Sequence, residues 1–516
     1  MTLKRHLLTI LLLGLIGCFL GQTLFAETLA EAPSNFHDED AGSEENPFLI
    51  ASLANLRWLS ETPAVWDIGW GMNRTGYFFL QTADIEASET IHWNNGRGFT
   101  PIGYFPMFSV GTYKWSFVGR YDGNHFKISN LFINAPESIA EEKTVSFALF
   151  SNIYNATIMN VHLENIHIAT IINDPLWLLS HVRGTLVGTA IDSRIINCSA
   201  SGQISSENHP DNEKYLIIGG LVGRAKDSSL TNSYSTATIY ISICEYSAIG
   251  GLVGSLGASN LMNSYFNGIV HAENEVFLYG SLVGSDYNSK IKYCYATSYA
   301  NNLNMSNLIG QISSYVDEPF GPSNVTNNFW DIETTKIRQT VGSNLDPDSV
   351  VENNFGVTTS EMNQATTFIN NGWDFEEIWD IDPEINNGYP FLRSMPPPED
   401  PEDPDNPPLN DVDLTIIPLL SSFVYPNPTR VGDVIFSILS QSTSSYKVEQ
   451  NEAEISIYNI RGQLVRRSSD FQSNDGKALF VWDRRDINNH DVASGLYFYR
   501  IQMNDEITSG RFLVIR

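Results

Sequence analysis

Short apolar runs bounded by Gly, Asn and Ser recur through the middle of the chain, and they keep one internal register. Leu-Val-Gly stands at 186–188, 221–223, 252–254 and 282–284, with Leu308-Ile309-Gly310 as a worn fifth copy. Nine residues beyond Gly188, Gly223, Gly254 and Gly284 lie Asn197, Asn232, Asn263 and Tyr293. Two residues ahead of those come Ile195, Leu230, Leu261 and Ile291; just behind come Cys198, Ser233, Ser264 and Cys294, then Ser199, Tyr234, Tyr265 and Tyr295. The same register extends outwards through Ile128-Ser129-Asn130, Ile158-Met159-Asn160 and Val325-Thr326-Asn327. Runs of Val, Leu, Ile, Tyr and Thr between such turn residues predict short strands.

Constant spacing inside a variable period means that the constant part stacks and the variable part loops out. No segment between the copies is long and periodic enough to be a crossover helix in every repeat. The pattern predicts an all-β fold, a right-handed parallel β-helix or related β-solenoid, with like residues in columns about 4.8 Å apart. The Ile/Leu column is then a core stripe, and the Asn column marks a turn that uses the left-handed region. The glycines are expected to supply positive φ before a bend. Cys198 and Cys294 share a column three rungs apart, about 14 Å, beyond the reach of a disulfide.

On these residues the repeat resembles the GLUG motif of bacterial surface proteins, most closely at Gly220-Leu-Val-Gly223 and Gly251-Leu-Val-Gly254. The likeness spans about 42–395, from Glu45-Asn-Pro-Phe-Leu-Ile50 to Gly372-Trp-Asp-Phe375 and Asn387-Gly-Tyr-Pro390. Ser52 is expected to cap a short helix whose Leu53, Leu56 and Leu59 close the open end of the solenoid. Gly188, Gly220, Gly223, Gly251, Gly254, Gly284, Asn197, Asn232 and Asn263 are its structural motif residues.

Residues 396–418 are rich in Pro, Asp and Glu and predict an extended linker. Beyond them, runs such as Val434–Leu439, Ile455–Tyr458, Leu479–Trp482 and Leu496–Ile501 predict a small Ig-like β-sandwich over 419–516. Its landmarks are Tyr425-Pro426-Asn427-Pro428, Ile457-Tyr-Asn-Ile460 with Gly462-Gln-Leu-Val465, Trp482-Asp483, and Ala493-Ser-Gly495-Leu-Tyr497-Phe-Tyr499. They resemble the C-terminal sorting domain of type IX secretion, with Arg484 where that family commonly has Gly. The resemblance implies the type IX machinery as a partner and a secreted or outer-membrane surface destination.

At the other end, Lys4, Arg5 and His6 precede an apolar run from Leu7 to Leu20, which predicts a signal peptide over 1–26. Leu15-Ile16-Gly17-Cys18 offers lipidation at Cys18 as the alternative. Residues 27–41, acidic and polar, are expected to be disordered. The chain of 516 residues carries a formal net charge of −29. The excess of acids belongs to 27–418, whereas 419–516 holds 11 basic and 11 acidic residues. Such a balance excludes nucleic acid as a partner, since phosphate binding needs clustered Lys and Arg. No segment of the predicted mature chain is long and apolar enough for a transmembrane helix.

Chemistry is sparse in the columns. Acids fall mainly in inserts, such as Glu207, Asp211, Glu213, Glu273 and Glu275. Asp122-Gly-Asn-His125 is first a turn signal, and His162 and His167 lack partners at metal-ligand spacing. Trp177, Tyr287 and Tyr315 offer stacking faces for sugar. No catalytic, cofactor-binding or metal residue is assigned; no cofactor is expected, and calcium has no sequence signature here. The reading favours a non-enzymatic surface repeat protein in adhesion or contact with a cell-surface polysaccharide or extracellular protein. The alternative is a secreted β-helix lyase or glycosidase, which requires two or three of Asp84, Asp122, Glu164 and Asp192 to converge in one groove.

Overall fold

The computed structural model describes residues 27–66, 76–103, 116–134, 144–169, 171–172, 180–208, 215–241, 246–272, 278–301, 307–313, 321–337, 339–396, 420–425, 434–440, 453–474, 477–503 and 506–514. The signal-peptide stretch with Cys18, Cys244, Trp177, Tyr315, the inserts around Asp211, Glu213, Glu273 and Glu275, and Pro426–Pro428 lie outside them. The chain divides into residues 1–409 and 410–516.

The larger unit is a parallel β-solenoid. In one coil Tyr215–Gly219, Val222–Lys226, Ser229–Thr231, Tyr234–Ser235 and Thr238–Ile241 follow one another. Each pairs in parallel with its counterpart 31 residues further on. Stacking makes a first sheet of ten strands, a second of fourteen, a third of seven and a fourth of five. Ile158, Ile195, Leu230, Leu261, Ile291 and Val325 form an inward column of the first sheet, fully buried. They join a single core cluster that runs from Phe48 to Ile337.

Two corners per coil use the same local device. A residue at positive φ is followed by a serine, as in Asp227-Ser228 and, five residues later, Asn232-Ser233 (φ 52° and 50°). Asn160, Asn197, Asn232, Asn263, Tyr293, Asn327 and Asn353 all stand at φ between 49° and 59°. Along this column Asn197 Nδ2 donates to Asn160 Oδ1 (3.2 Å), and Asn263 Nδ2 to Asn232 Oδ1 (3.2 Å). The serines behind the turns do two things at once. Ser228 Oγ accepts from Ser193 N in the preceding coil (3.0 Å) and donates to Lys226 O two residues back (2.7 Å). Ser233 Oγ repeats this with Cys198 N and Thr231 O (3.1 and 2.9 Å). Cys198 and Cys294 are therefore serine substitutes, each turning its Sγ to the carbonyl two residues back (3.3 Å). Both are free and buried.

Two details differ from the sequence reading. Gly188, Gly223, Gly254 and Gly284 are not among the positive-φ residues. They are small because the neighbouring strands pass too close: a Cβ on Gly254 would lie 2.7 Å from Gly223 O and from Ile217 Cγ2. Gly220 and Gly251 face the same constraint, with Gly251 O and Ser281 O 2.2 Å from the added atom. Secondly, Ile128-Ser129-Asn130 does not continue the Ile/Leu column. Lys127–Ser129 joins the second sheet beside His162–Ala169, and the rung before Ile158 is Tyr121. Asn130 stands at a different corner with φ 58°, where Asn165 Nδ2 donates to it at 2.6 Å.

The N-terminal end is closed by residues 27–61, and the expected disorder over 27–41 is not found. Asn35 is buried, donates to Asn46 Oδ1 and Pro47 O (3.0 and 2.8 Å) and accepts from Leu49 N. Phe36 packs edge-on to Trp58 at 5.2 Å. Composition misled here because a few apolar side chains suffice to pin a short polar stretch onto an exposed core end. Helix Leu53–Glu61 starts from Ser52, whose side chain accepts from Asn55 N, and Leu56 and Leu59 are fully buried.

After the last coil, residues 359–396 turn back along the outside of the second sheet as a strap. Beneath it Tyr234, Tyr265 and Tyr295 stack at 4.8 and 4.7 Å. Trp373, Trp379, Phe368 and Leu392 cover them in a second apolar cluster. Tyr389 Oη donates to Asp331 (2.7 Å), Tyr295 Oη to Pro390 O (2.5 Å) and Tyr234 Oη to Pro396 O (3.0 Å).

The smaller unit pairs two four-stranded antiparallel sheets. Phe436, Ile455, Ile457, Trp482, Tyr499 and Ile501 fill its core. Gly462 turns a hairpin at φ 73°, Tyr497 Oη donates to Ala493 O (2.8 Å), and Gly495 opens the strand Gly495–Met503. Arg484 stands at φ 58°, the backbone region a glycine occupies without strain.

Candidate functional site

The outward column of the second sheet changes character along the solenoid. In register it reads Lys127, His162, Ser199, Tyr234, Tyr265, Tyr295 and Phe329. The strap covers the aromatic part and reaches Tyr234, whose hydroxyl donates to Pro396 O. Beside Tyr234 and Pro396 lies a groove lined by Lys127, His162, Glu164, Ser199, Ser201 and Thr236.

Parallel pairing places these side chains, because each strand position repeats at the interstrand spacing and alternate residues face out. Lys127 Nζ pairs with Glu164 Oε1 at 2.6 Å, and Ser129 Oγ donates to Glu164 Oε2 at 3.0 Å. His162 Nδ1 lies 3.0 Å from Ser199 Oγ, and its Nε2 lies 3.2 Å from His125 Nδ1. The two imidazoles are stacked, 5.4 Å apart. Burial first, then the nearby His125 and Lys127, push His162 down to about 4. At neutral pH it is uncharged.

The carboxylates proposed to converge are engaged separately. Asp84 accepts from Lys127 N (2.8 Å), and Asp122 from Asn124 N and Asn160 Nδ2 (both 2.9 Å). Asp192 is a corner residue at φ 50°. Glu164 is the carboxylate that lines the groove. His167 packs edge-on against Phe132 at 5.2 Å, and burial lowers it to about 4. Among the described residues no group of three His, Cys, Asp or Glu is placed to hold a metal ion, and no helix is long and apolar enough to cross a membrane.

Sequence reasoning weighed His125 and His162 singly and passed over Ser199 and Lys127. The signal was in the aligned columns, where Ser199 replaces a tyrosine. A second residue was missed. Asp286 occupies the inward column of the third sheet that elsewhere holds Ala190, Ala225, Leu256 and Ile312. It is buried, accepts from Ser323 Oγ at 2.6 Å, and is pushed up to about 6, mainly by burial.

Comparison with known proteins adds the following. Residues 215–240 match the GLUG motif, and residues 423–516 match the secretion system C-terminal sorting domain. Halomucin of Haloquadratum walsbyi is 31% identical over 199 residues, which is 38% of this chain and 2% of halomucin. The chain thus spans a small fraction of that relative's length. Among solved structures, a putative immunoglobulin A1 protease from Bacteroides ovatus has a TM-score of 0.40 at 18% identity, over 69% of this chain and 94% of that one. PorZ, a surface component of the type IX secretion system of Porphyromonas gingivalis, has a TM-score of 0.14 at 22% identity, over 19% and 12%. The tail implies the type IX machinery as a partner and a secreted or cell-surface location. Residues 215–240 thus carry a GLUG motif, and residues 423–516 a type IX secretion sorting domain.

Proposed function

We propose that the protein is attached at the outer surface of the outer membrane and holds an extracellular polysaccharide along the second sheet of its solenoid. In this reading the signal peptide over 1–26 opens the export route, residues 396–418 act as the spacer between solenoid and tail, and 419–516 serve sorting alone. The observation that carries the ligand class is the change from tyrosine to Ser199, His162 and Lys127 in the outward column, beside the Tyr234–Pro396 contact. The groove offers hydroxyls from Ser199, Ser201 and Thr236, an ion pair and an aromatic end. Closely spaced donors and acceptors suit a polyhydroxylated chain, and the aromatic end suits a sugar face. A stiff stacked scaffold holds such groups in place at little entropic cost.

The test is a glycan array probed with the full chain, with and without calcium, beside the variants Glu164→Gln and Thr236→Val. Saccharide binding lost in the variants supports the reading. Binding confined to extracellular proteins, or unchanged in both variants, overturns it. Deletion of 423–516 is expected to strand the protein in the periplasm.

A further inference from the structure

The serine and histidines of the groove are built in a way that ligand contact alone does not require. Ser199 and His162 are 5% and 3% exposed, yet both line the groove. Buried polar groups need partners, and these two partner one another at 3.0 Å. The chain His125–His162–Ser199 runs across three adjacent stretches, the loop at Asn124-His125 and the strands His162–Ala169 and Ser199–Asn208. The same outward position in later coils is Tyr265 and Tyr295, packed under the strap. Only where the column is reachable from the groove does it carry a hydroxyl beside an imidazole.

We propose that Ser199, His162 and His125 form a nucleophile–base–orienting relay that cleaves an ester carried by the saccharide bound in this groove. The inference rests on the groove being a saccharide site and adds a reaction to it. With Nε2 protonated, His162 donates to His125 Nδ1, and its Nδ1 is left to accept from the Ser199 hydroxyl. A hydroxyl paired with a base that is itself held by a third group is the arrangement nucleophilic acyl transfer needs. Ser199 Oγ forms a bond to the acyl carbon while its proton passes to His162 Nδ1. The bond from that carbon to the sugar oxygen then breaks, and the departing sugar oxygen takes the proton from His162. Water repeats the sequence on the acyl-serine: its proton passes to His162, its oxygen bonds to the acyl carbon, and the bond to Ser199 Oγ breaks. A carboxylic acid leaves and Ser199 recovers its proton. Lys127, on the groove wall with His162, brings a cation to this groove, with Glu164 as its counter-ion. Ser199 and His162 are the catalytic residues, and His125 is a positioning residue.

The experiment uses the full chain. A fluorophosphonate probe is expected to label Ser199, read by peptide mass, and 4-nitrophenyl acetate to be hydrolysed. Ser199→Ala is expected to lower that hydrolysis by about 100-fold, a common share for nucleophile and base. His125→Gln is expected to lower kcat with KM unchanged. A second variant guards against misfolding: Ser199→Cys is expected to react with iodoacetamide about tenfold faster than the same cysteine beside His162→Gln, because the neutral imidazole takes the thiol proton as the sulfur attacks. Labelling elsewhere than Ser199, hydrolysis unchanged in Ser199→Ala, or equal alkylation rates would each overturn the relay. Glycan binding is read separately, so a bound but uncleaved saccharide sinks the relay and leaves the binding site standing.

Discussion

Replacing Asp286 with leucine is expected to stabilise the solenoid, and to do so in a pH-dependent way. The position faces the core between Leu256 and Ile312, and Asp286 is 1% exposed. Burial, with Asp346 adding to it, raises the carboxyl from 3.8 to about 6 against the hydrogen bonds it receives. The folded state thus holds the proton more tightly than the unfolded chain. Between those two values the native state binds more protons, so stability falls as pH rises, and above about 6 the loss is complete. The difference of roughly two pH units, at 1.36 kcal/mol each, is about 3 kcal/mol. Ser323 loses its acceptor in the variant, but the carbonyl two residues back serves Ser193, Ser228, Ser259 and Ser289 in the other coils. Urea unfolding of the full chain, followed by hydrogen exchange in the third sheet, measures the effect. At pH 7.5 the variant should exceed the wild type by about 3 kcal/mol, and by only about 1 kcal/mol at pH 4.5. A difference that does not shrink with acid would refute the reasoning, since packing alone has no such pH dependence.

Other substitutions test the corners and the strap. Gly254→Ala places a methyl 2.7 Å from Gly223 O and Ile217, and should cost about 1–3 kcal/mol in unfolding experiments. At Asn232, φ 50°, alanine should cost about 1–2 kcal/mol, and glycine distinctly less despite losing the bond from Asn263; equal losses would show that the ladder bond and not the turn dominates. Tyr265 has a buried hydroxyl with no hydrogen-bond partner, so Tyr265→Phe should raise stability by about 1 kcal/mol, measured as a higher Tm.

The solenoid was legible because its columns are spelled in the chain at constant spacing: Ile195, Leu230 and Leu261 keep their distance from Asn197, Asn232 and Asn263. The same rule misplaced Ile128, since an apolar residue two places before asparagine occurs at two different corners. The motif glycines were recognised, but their cause lay in how closely neighbouring strands pass, which spacing does not encode. The strap was hidden for a related reason. Trp373 and Trp379 advertise burial, yet the surface they bury, Tyr265 and Tyr295, lies several coils earlier in the chain. The groove depends on His162 and Ser199, which are 37 residues apart in sequence and adjacent in space. Only the column, read for the residue that breaks its rule, brings them together before a structure does.

The corner hydrogen bonds also have a direction. Ser193 N donates forward to Ser228, Ser228 to Ser259 and Ser259 to Ser289, and the second corner runs the same way from Cys198 to Ser233 and from Ser233 to Ser264. At these two corners the amides therefore borrow their acceptors from the coil that follows. A chain interrupted partway leaves its newest coil with buried amides lacking acceptors, each costing about 1–3 kcal/mol. An unfinished array is thereby frayed at its growing edge and exposed to proteolysis. A finished one ends on Asn354, whose side chain accepts from Asn328 N and donates back to Val325 O, a terminal stitch that returns a bond to the coil before it.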